Sequence, residues 1–538
     1  MIKKISGNKP VLIHLTLVDV LLILLSLLWV YETNHFENGN HFYPFVRVEF
    51  LFMTYWFFRF LFSLNPKFTS FLLFSFLIAL CTHELFSGYS QLLRNWGTNK
   101  AQDFCTGSFS NSGPFGCFLS VCTILFVTVW VKSHVTIIRV LMALIALVSF
   151  MLMVCILSRA ALFSFAISLF VLALKNVKAK ILVRKYGVYI ALAVILIGTG
   201  TYLVKKPSAD GRYLVARICL NMIKNGGLTG VGLGNFEGKY GEAQSVYFSH
   251  YLSDYSDFAE IDKTLEKMRM VADCPKYAFN EYLQLGVESG PIAMIIVVIM
   301  IMTGITDSYK KDNCWCYPLI AIASFSCFSY PLQVDLLLFL FTVFLASNTS
   351  KKELCGFDSF FYALMIMTIV CVFDSHNRDM IKKDSKNWPA RFEDLCKNRT
   401  KLYRVSNSVI QDGLYDEFAL FTYGKSLNSQ KQYAKSDSVL ALGIQISSDP
   451  MFWNVMGNNS LALGNYREAE ERYKHAFYMV PNRLYPLYLL AKLYNTEGDS
   501  ARFLKMADLV EEFVPKIESP KTERLRSEIR EIKTTYQK

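Results

Sequence analysis

A chain of 538 residues with 53% hydrophobic and only 19% charged positions does not have the composition of a soluble multi-domain protein. The bilayer is part of its fold. The formal net charge of +12 does not mark a nucleic-acid binder, because many of the cations sit at the edges of apolar segments instead of along one stripe. The 13 cysteines contain no CxxC pair, and most lie inside apolar runs as small packing residues. Cys314 and Cys316 read as helix-edge residues. Cys274 and Cys396 fall outside the apolar runs, where a disulfide is open to them but has no cysteine framework behind it.

Crossing about 30 Å of hydrocarbon takes roughly 20 apolar helical residues. On that measure about eleven transmembrane helices are expected, at 11–31, 45–64, 68–86, 114–131, 135–157, 159–175, 186–204, 288–306, 314–331, 332–347 and 357–373. Pro318 and Pro331 interrupt the apolar sequence of the eighth to tenth, so that stretch divides in more than one way. The first run is too long for a cleavable signal and has no small-residue cleavage site after it. Every second connection is basic: Lys3, Lys4 and Lys9; Lys67; Lys132 and Arg139; Lys175, Lys178, Lys180, Arg184 and Lys185; Lys310 and Lys311; Lys351 and Lys352. The connection at 32–44 has no Lys or Arg, which puts the N-terminus in the cytoplasm and, with an odd number of spans, the C-terminal segment outside.

Two segments are left out of the membrane. The first, 205–287, is a large extracytoplasmic loop, too long to be an idle connection. In it Tyr213, Leu214, Val215, Ile218 and Met222 predict an amphipathic helix that Gly226 and Gly227 would end, suited to lying along a membrane surface. The second, 374–538, follows the membrane domain at 1–373 and repeats at the 34-residue period of tetratricopeptide units. One unit carries Trp453, Gly457, Gly464, Tyr466, Ala469, Tyr473, Ala476 and Pro481; the next carries Leu487, Ala491, Tyr494, Gly498 and Pro515. A degenerate unit with Gly424, Tyr433 and Ala434 precedes them. The fold class is therefore all-α: a polytopic membrane bundle with a large outer loop and a C-terminal α-solenoid. The solenoid either stacks against the membrane domain or binds a protein or polymer partner.

No HExxH, GxSxG, P-loop or acidic metal cluster is present, and the eight histidines are scattered, so no metal and no cofactor are expected. Arg159 opens the sixth span, where it is an interfacial anchor or a site residue. Arg212 and Arg217 lie in the large loop, roughly 140° apart on a helix, sharing a face only if the helix begins after Arg212. Arginine suits phosphate because its planar fork donates two parallel hydrogen bonds, while a solvated surface cation is the plainer alternative. The stretch Gly230-Val-Gly-Leu-Gly-Asn-Phe has no preceding strand and is not a dinucleotide fingerprint; Gly232, Gly234 and Asn235 shape a turn or a backbone approach to a ligand. Tyr277, Glu281, Gln284 and Glu288 form one polar stripe if helical, with a carboxylate available as general base or arginine partner.

Four islands together resemble the O-antigen ligase and polymerase family of membrane enzymes: Thr106-Gly-Ser-Phe-Ser-Asn-Ser-Gly-Pro-Phe; Ser158-Arg-Ala-Ala-Leu; Gly211-Arg with Gly230-Val-Gly-Leu-Gly-Asn-Phe; and Ala278-Phe-Asn-Glu-Tyr-Leu-Gln. The resemblance covers roughly residues 10–350. One departure matters. Family ligases commonly carry histidine before the Asn of the last island, and here Phe279 stands there, which leaves Glu281 as first candidate for the base.

The resemblance implies a multi-pass protein of a bacterial inner membrane, its repeats periplasmic, that moves glycan from a polyprenyl-diphosphate carrier to a glycan, lipid-core or protein acceptor. Arg159, Arg212 and Arg217 would contact the diphosphate, and Asn280 and Glu281 would organise the acceptor. Gly232, Gly234, Asn235, Tyr277 and Gln284 are further candidates for substrate contact. A protein O-oligosaccharyltransferase is the alternative within the enzyme class; a polysaccharide exporter or an inactive scaffold is the alternative outside it.

Overall fold

The computed structural model describes residues 12–35, 42–95, 105–175, 177, 180–181, 184–187, 206–252, 263–347, 355–358 and 417–536. Most of the spans expected at 186–204 and 357–373, and Cys396, lie outside the described residues. The chain divides into two compact units: the first comprises Met1–Asn34, Pro44–Val204 and Ala278–Ser375, the second His35–Tyr43, Lys205–Tyr277 and His376–Lys538.

Among its described residues unit 1 is helical, as the all-α expectation has it, apart from a short two-stranded antiparallel ribbon, β1 (Leu12–Leu15) with β2 (Cys355–Asp358). Helix α1 (Leu17–His35) begins only after this strand, so the first expected span starts six residues late. Then come α2 (Phe42–Leu64), α3 (Pro66–Arg94), α4 (Ser112–Lys132), α5 (Thr136–Cys155) and α6 (Arg159–Ala173). Asn65 caps α3 by accepting from Phe68 N–H at 3.1 Å, and Pro66 stands at the first turn, where its missing N–H leaves no gap.

Among the described residues four helices are long and apolar enough to cross a membrane: α3, α4, α5 and α10 (Glu281–Lys310). The apolar helices α6, α11 (Cys316–Phe325) and α12 (Asp335–Ser347) are shorter. Pro331–Gln333 is a 3-10 turn, so the tenth expected span is helical only from Asp335.

Burial sorts these helices by role. α4 is buried on every side from Pro114 to Phe126 and is the core of the unit, with α5, α6 and α11 packed around it. Gly116 permits the approach of α6: a Cβ there would lie 2.8 Å from the Cβ of Ser158. By contrast α5 turns Ile137, Leu144 and Met151 outward, each more than half exposed, the kind of apolar face that meets lipid. At one end of the unit Lys132 lies 3.0 Å and Lys175 3.6 Å from Asp312, gathering the ends of α4, α6 and α10.

One buried carboxylate in this unit is densely paired. Asp19, wholly buried, accepts from Thr16 N–H at 2.7 Å, Tyr55 O–H at 2.8 Å and Arg59 Nε at 3.3 Å. An isolated carboxylate in that position would be costly, and these donors offset its desolvation.

Unit 2 begins with α7 (Lys206–Asn225), α8 (Phe236–Tyr251) and α9 (Lys263–Val271). α7 ends where Gly226 and Gly227 were expected to stop it, and Gly227 takes φ +72°. Its buried face is Leu214, Val215, Ile218, Cys219 and Met222; Tyr213, expected on that face, points to solvent.

The C-terminal part consists of α13 (Glu417–Ser429), α14 (Tyr433–Ile446), α15 (Met451–Ala462), α16 (Tyr466–Met479), α17 (Tyr485–Glu497), α18 (Ser500–Glu512) and α19 (Pro520–Tyr536). Successive helices pack on one another, and the first members of the three pairs start at Glu417, Met451 and Tyr485, evenly spaced. Small residues set the pair geometry. A Cβ on Gly457 would meet Tyr473 Cε1 at 2.3 Å, and one on Gly424 would meet Leu440 Cδ2 at 2.5 Å, so each glycine is the seat for a larger side chain on the second helix of its pair. α19 buries only Ile529 and closes the row.

Candidate functional site

In unit 1 the N-terminal ends of α4, α6 and α10 converge on the segment from Ser326 to Asp335. Asn111 caps α4, accepting from Gly113 N–H at 3.1 Å while its Nδ2 donates to Tyr330 Oη at 3.2 Å. Asn280 caps α10, accepting from Leu283 N–H at 3.0 Å while its Nδ2 donates to Cys327 O at 3.0 Å. α6 joins through Ser158 against Gly116 and through Phe163, whose ring stands edge-on to Phe328 at 5.3 Å. Arg159, half-buried, is the first residue of α6. Each helix start carries a partial positive charge, so three in one place favour an anion.

Glu281 is buried and both its oxygens are engaged: Leu332 N–H donates to one at 2.6 Å and Gln333 Nε2 to the other at 3.0 Å. Gln333 in turn accepts from Arg47 Nη1 at 2.7 Å, and Arg47 reaches the Gln333 carbonyl and Asp335 Oδ1, the latter at 3.2 Å. The accessible carboxylate of the group is Asp335, whose side chain is 82% exposed. Gln284 and Glu288 continue the buried face of α10, 3.3 Å apart, with Ala278 N–H donating to Gln284 Oε1 at 3.2 Å. Tyr277 lies ahead of the helix and is not part of its stripe, because Asn280 is the cap. α10 breaks at Gly290, which takes φ +77° before Pro291; Ser289 accepts there from Trp29 Nε1 at 3.0 Å.

Two non-glycine residues immediately preceding expected motifs hold left-handed backbone: Leu157 at φ +52° before Ser158-Arg159, and Phe279 at φ +53° before Asn280-Glu281. Such conformations cost of order 1–3 kcal/mol and gather at sites that need a fixed side-chain direction. Phe279 packs edge-on to Tyr330, ring centres 5.8 Å apart.

The loop from Thr106 is pinned to α3. Gln91 accepts from Thr106 N–H at 2.9 Å and Gly107 N–H at 2.8 Å, and Glu84 accepts from Ser108 N–H at 3.0 Å and from its hydroxyl. Gly107 takes φ +60°, and a Cβ would lie 2.4 Å from Glu84 Oε2. Gly107→Ala will therefore loosen the loop by about 1–3 kcal/mol. Site-resolved alkylation reads this directly, since Cys105, wholly buried with its thiol 3.3 Å from Gly88 O, will become reactive.

In unit 2, α7 starts at Lys206, before Arg212, so the condition for the two arginines to share a face is not met. Arg212 is exposed; Arg217 lies over the Tyr247 ring at 5.4 Å with Nη1 3.8 Å from Met268 Sδ. Gly230, Gly232 and Gly234 all have positive φ, and Asn235 starts α8 with its amide donating to Val231 O at 3.1 Å. The run is a glycine-built turn.

α8 faces a second acidic element. Burial pushes Glu237 up to about 8, with Glu417 of α13 raising it further and Lys276 opposing. An unfolded glutamate releases its proton near 4.5, so the folded form holds a proton that the unfolded one lacks. The stabilisation is present at low pH and is lost as pH rises through about 8. Amide exchange in α8 and α13 will accelerate between about pH 5 and about pH 9, and Glu237→Gln will flatten that dependence.

The structure thus brings Arg159, Asn280, Glu281 and Gln284 into unit 1, and places Arg212, Arg217, Gly232, Gly234, Asn235 and Tyr277 in unit 2. Sequence reading missed Arg47, Tyr330, Gln333 and Asp335. The one signal available was Arg47 itself, one of three charges, with Glu49 and Arg59, inside a largely apolar run. Among the described residues no three potential metal ligands cluster.

The class these features define is a helical protein with, among the described residues, four helices long and apolar enough to span a bilayer. No protein-family model, curated protein or solved structure matches the chain, so the likeness to O-antigen ligases and polymerases rests on its four sequence islands.

Proposed function

We propose that the chain transfers a glycan from a polyprenyl-diphosphate carrier to an acceptor hydroxyl at the outer face of a bacterial inner membrane. The observation that carries this reading is the convergence of three helix N-termini with Arg47 and Arg159 at one end of unit 1. Transfer joins the acceptor oxygen to C1 of the sugar and breaks the C1–O bond to diphosphate, inverting C1. The leaving group takes the electron pair and the acceptor gives up its proton. Positive charge fixed where the diphosphate departs lowers that barrier, and Arg159 is the residue we assign to it. With both Glu281 oxygens engaged, we assign Asp335 to receive the proton and Glu281 to hold the segment that carries it. Arg212 and Arg217 are further phosphate contacts on the strength of the family likeness.

The same reading takes the eleven expected spans as the membrane domain, with the N-terminus cytoplasmic. Its support is the gathering of Lys132 and Lys175 at the end of α4 and α6, opposite to the helix starts, as positive-inside topology requires. The large loop and a tetratricopeptide-like solenoid are then periplasmic, and the even helix starts from Glu417 to Tyr485 favour that repeat class.

Product analysis in proteoliposomes tests the reaction class. Transfer releases free polyprenyl diphosphate in step with glycosylated acceptor. Export would move the glycan with its lipid bond intact, and finding only that outcome would replace the enzyme reading.

A further inference from the structure

The large loop and the C-terminal helices of unit 2 are joined by bonds to main-chain carbonyls across their interface. Gly238 of α8 lies so close to the end of α14 that a Cβ would sit 2.1 Å from Gln445 O, and a Cβ on Gly241 would be 2.9 Å from that of Ser448. Gln244, buried, donates to Met479 O and, at 3.0 Å, to Asp273 O. Arg269 of α9, only 3% exposed, donates to Pro481 O at 3.0 Å and Val514 O at 3.1 Å and lies over the Phe513 ring at 4.8 Å. Asn482 returns the link, donating to Arg269 O at 2.9 Å and Ala272 O at 2.7 Å. Lys516 and Asp273 add an ion pair at 2.8 Å. A repeat face used to capture a separate protein would be open; the edge formed by α14, α16 and the turns after Met479 and Phe513 is filled by the chain's own loop.

We propose that the C-terminal helices are an internal brace for the large loop, and that Arg269 and Asn482 are its positioning residues. α9 and α8 both pack on α7, the helix that carries Arg212 and Arg217, so a brace on the first two fixes the third. At Pro481 and Val514 the acceptors are main-chain carbonyls, so the Arg269 link is indifferent to the side chains there but strict in geometry, while Asn482 supplies its own amide in the return direction. The functional consequence rests on the reading that α7 contacts the donor diphosphate.

The test uses the full chain in proteoliposomes with two readouts. Arg269→Ala and Asn482→Ala are expected to raise amide exchange across α8 and α9 while leaving exchange in α3 to α6 unchanged. Transfer from a synthetic polyprenyl-diphosphate oligosaccharide is expected to fall roughly 100-fold, the scale of an ångström-sized misplacement of a substrate-contacting group. A cysteine pair, Gly241→Cys with Ser448→Cys, needs a shift of roughly 1 Å to reach disulfide geometry. Oxidised in the Arg269→Ala background, it is expected to restore most of the lost transfer, and reduction to abolish the rescue, which loss of a substrate contact would not permit. Unchanged exchange in both single variants overturns the brace. Raised exchange and lost transfer without rescue by the disulfide overturns the positioning role. Raised exchange in a protein whose wild type transfers nothing leaves the brace standing and removes the transfer reading instead.

Discussion

On the proposed transfer reading, replacing Arg159 with alanine will lower transfer by roughly 10²–10³-fold while the protein still inserts and folds, because the variant loses the fixed positive charge assigned to the departing diphosphate. Arg159 opens α6 and is half-buried, and the packing at that helix start is made by Ser158 on Gly116 and by Phe163 on Phe328. Those two packing contacts do not involve the Arg159 side chain and remain in the variant. Arg159→Lys will recover only part of the loss, since an ammonium retains the charge but not the two parallel bonds of a guanidinium. Steady-state transfer with thermal unfolding in detergent separates the two effects: a fall in rate at unchanged unfolding temperature is the expected pair of results.

A second pair of variants divides the two carboxylates. Asp335→Asn will cost roughly 10²–10⁴-fold in kcat, the range for loss of a general base, with little effect on stability because its side chain is 82% exposed. Glu281→Gln will behave the other way. Its amide oxygen can still accept from Leu332 N–H, but Gln333 Nε2 loses its acceptor, a buried deficit of about 1–3 kcal/mol. Unfolding temperature should drop while most of the turnover survives. If Glu281→Gln abolishes turnover and Asp335→Asn does not, the assignment of the proton reverses.

The sequence carried the helices well and their partners poorly, for a physical reason. Hydropathy is local, so the apolar runs that became α3, α4 and α5 stand out without any knowledge of neighbours. So did the stop at Gly226 and Gly227, because a left-handed C-terminal residue is a property of the chain alone. The cap of α10 is equally local, yet it displaced Tyr277 from the stripe that a simple count of residues had given it. Periodicity fixes a spacing, but only the cap fixes where the count starts.

Arg47, Gln333 and Asp335 were invisible because their meaning is in a pairing across 286 residues between Arg47 and Gln333. The docking of α8 was hidden similarly: Gly238 weakens a helix in isolation, and only the approach of the Gln445 backbone shows why no side chain fits there. The short ribbon of β1 with β2 joins segments from opposite ends of unit 1, a register that apolar composition does not encode.

The most direct test of the transfer reading is an assay on the purified full chain in EDTA, offering a polyprenyl-diphosphate oligosaccharide with lipid-core, glycan and protein acceptors, wild type beside Arg159→Ala. The account predicts glycosylated product from the wild type with one acceptor class and its near-complete loss in the variant. Product formed equally well by Arg159→Ala, or none from the wild type with any of the three acceptors, would contradict it.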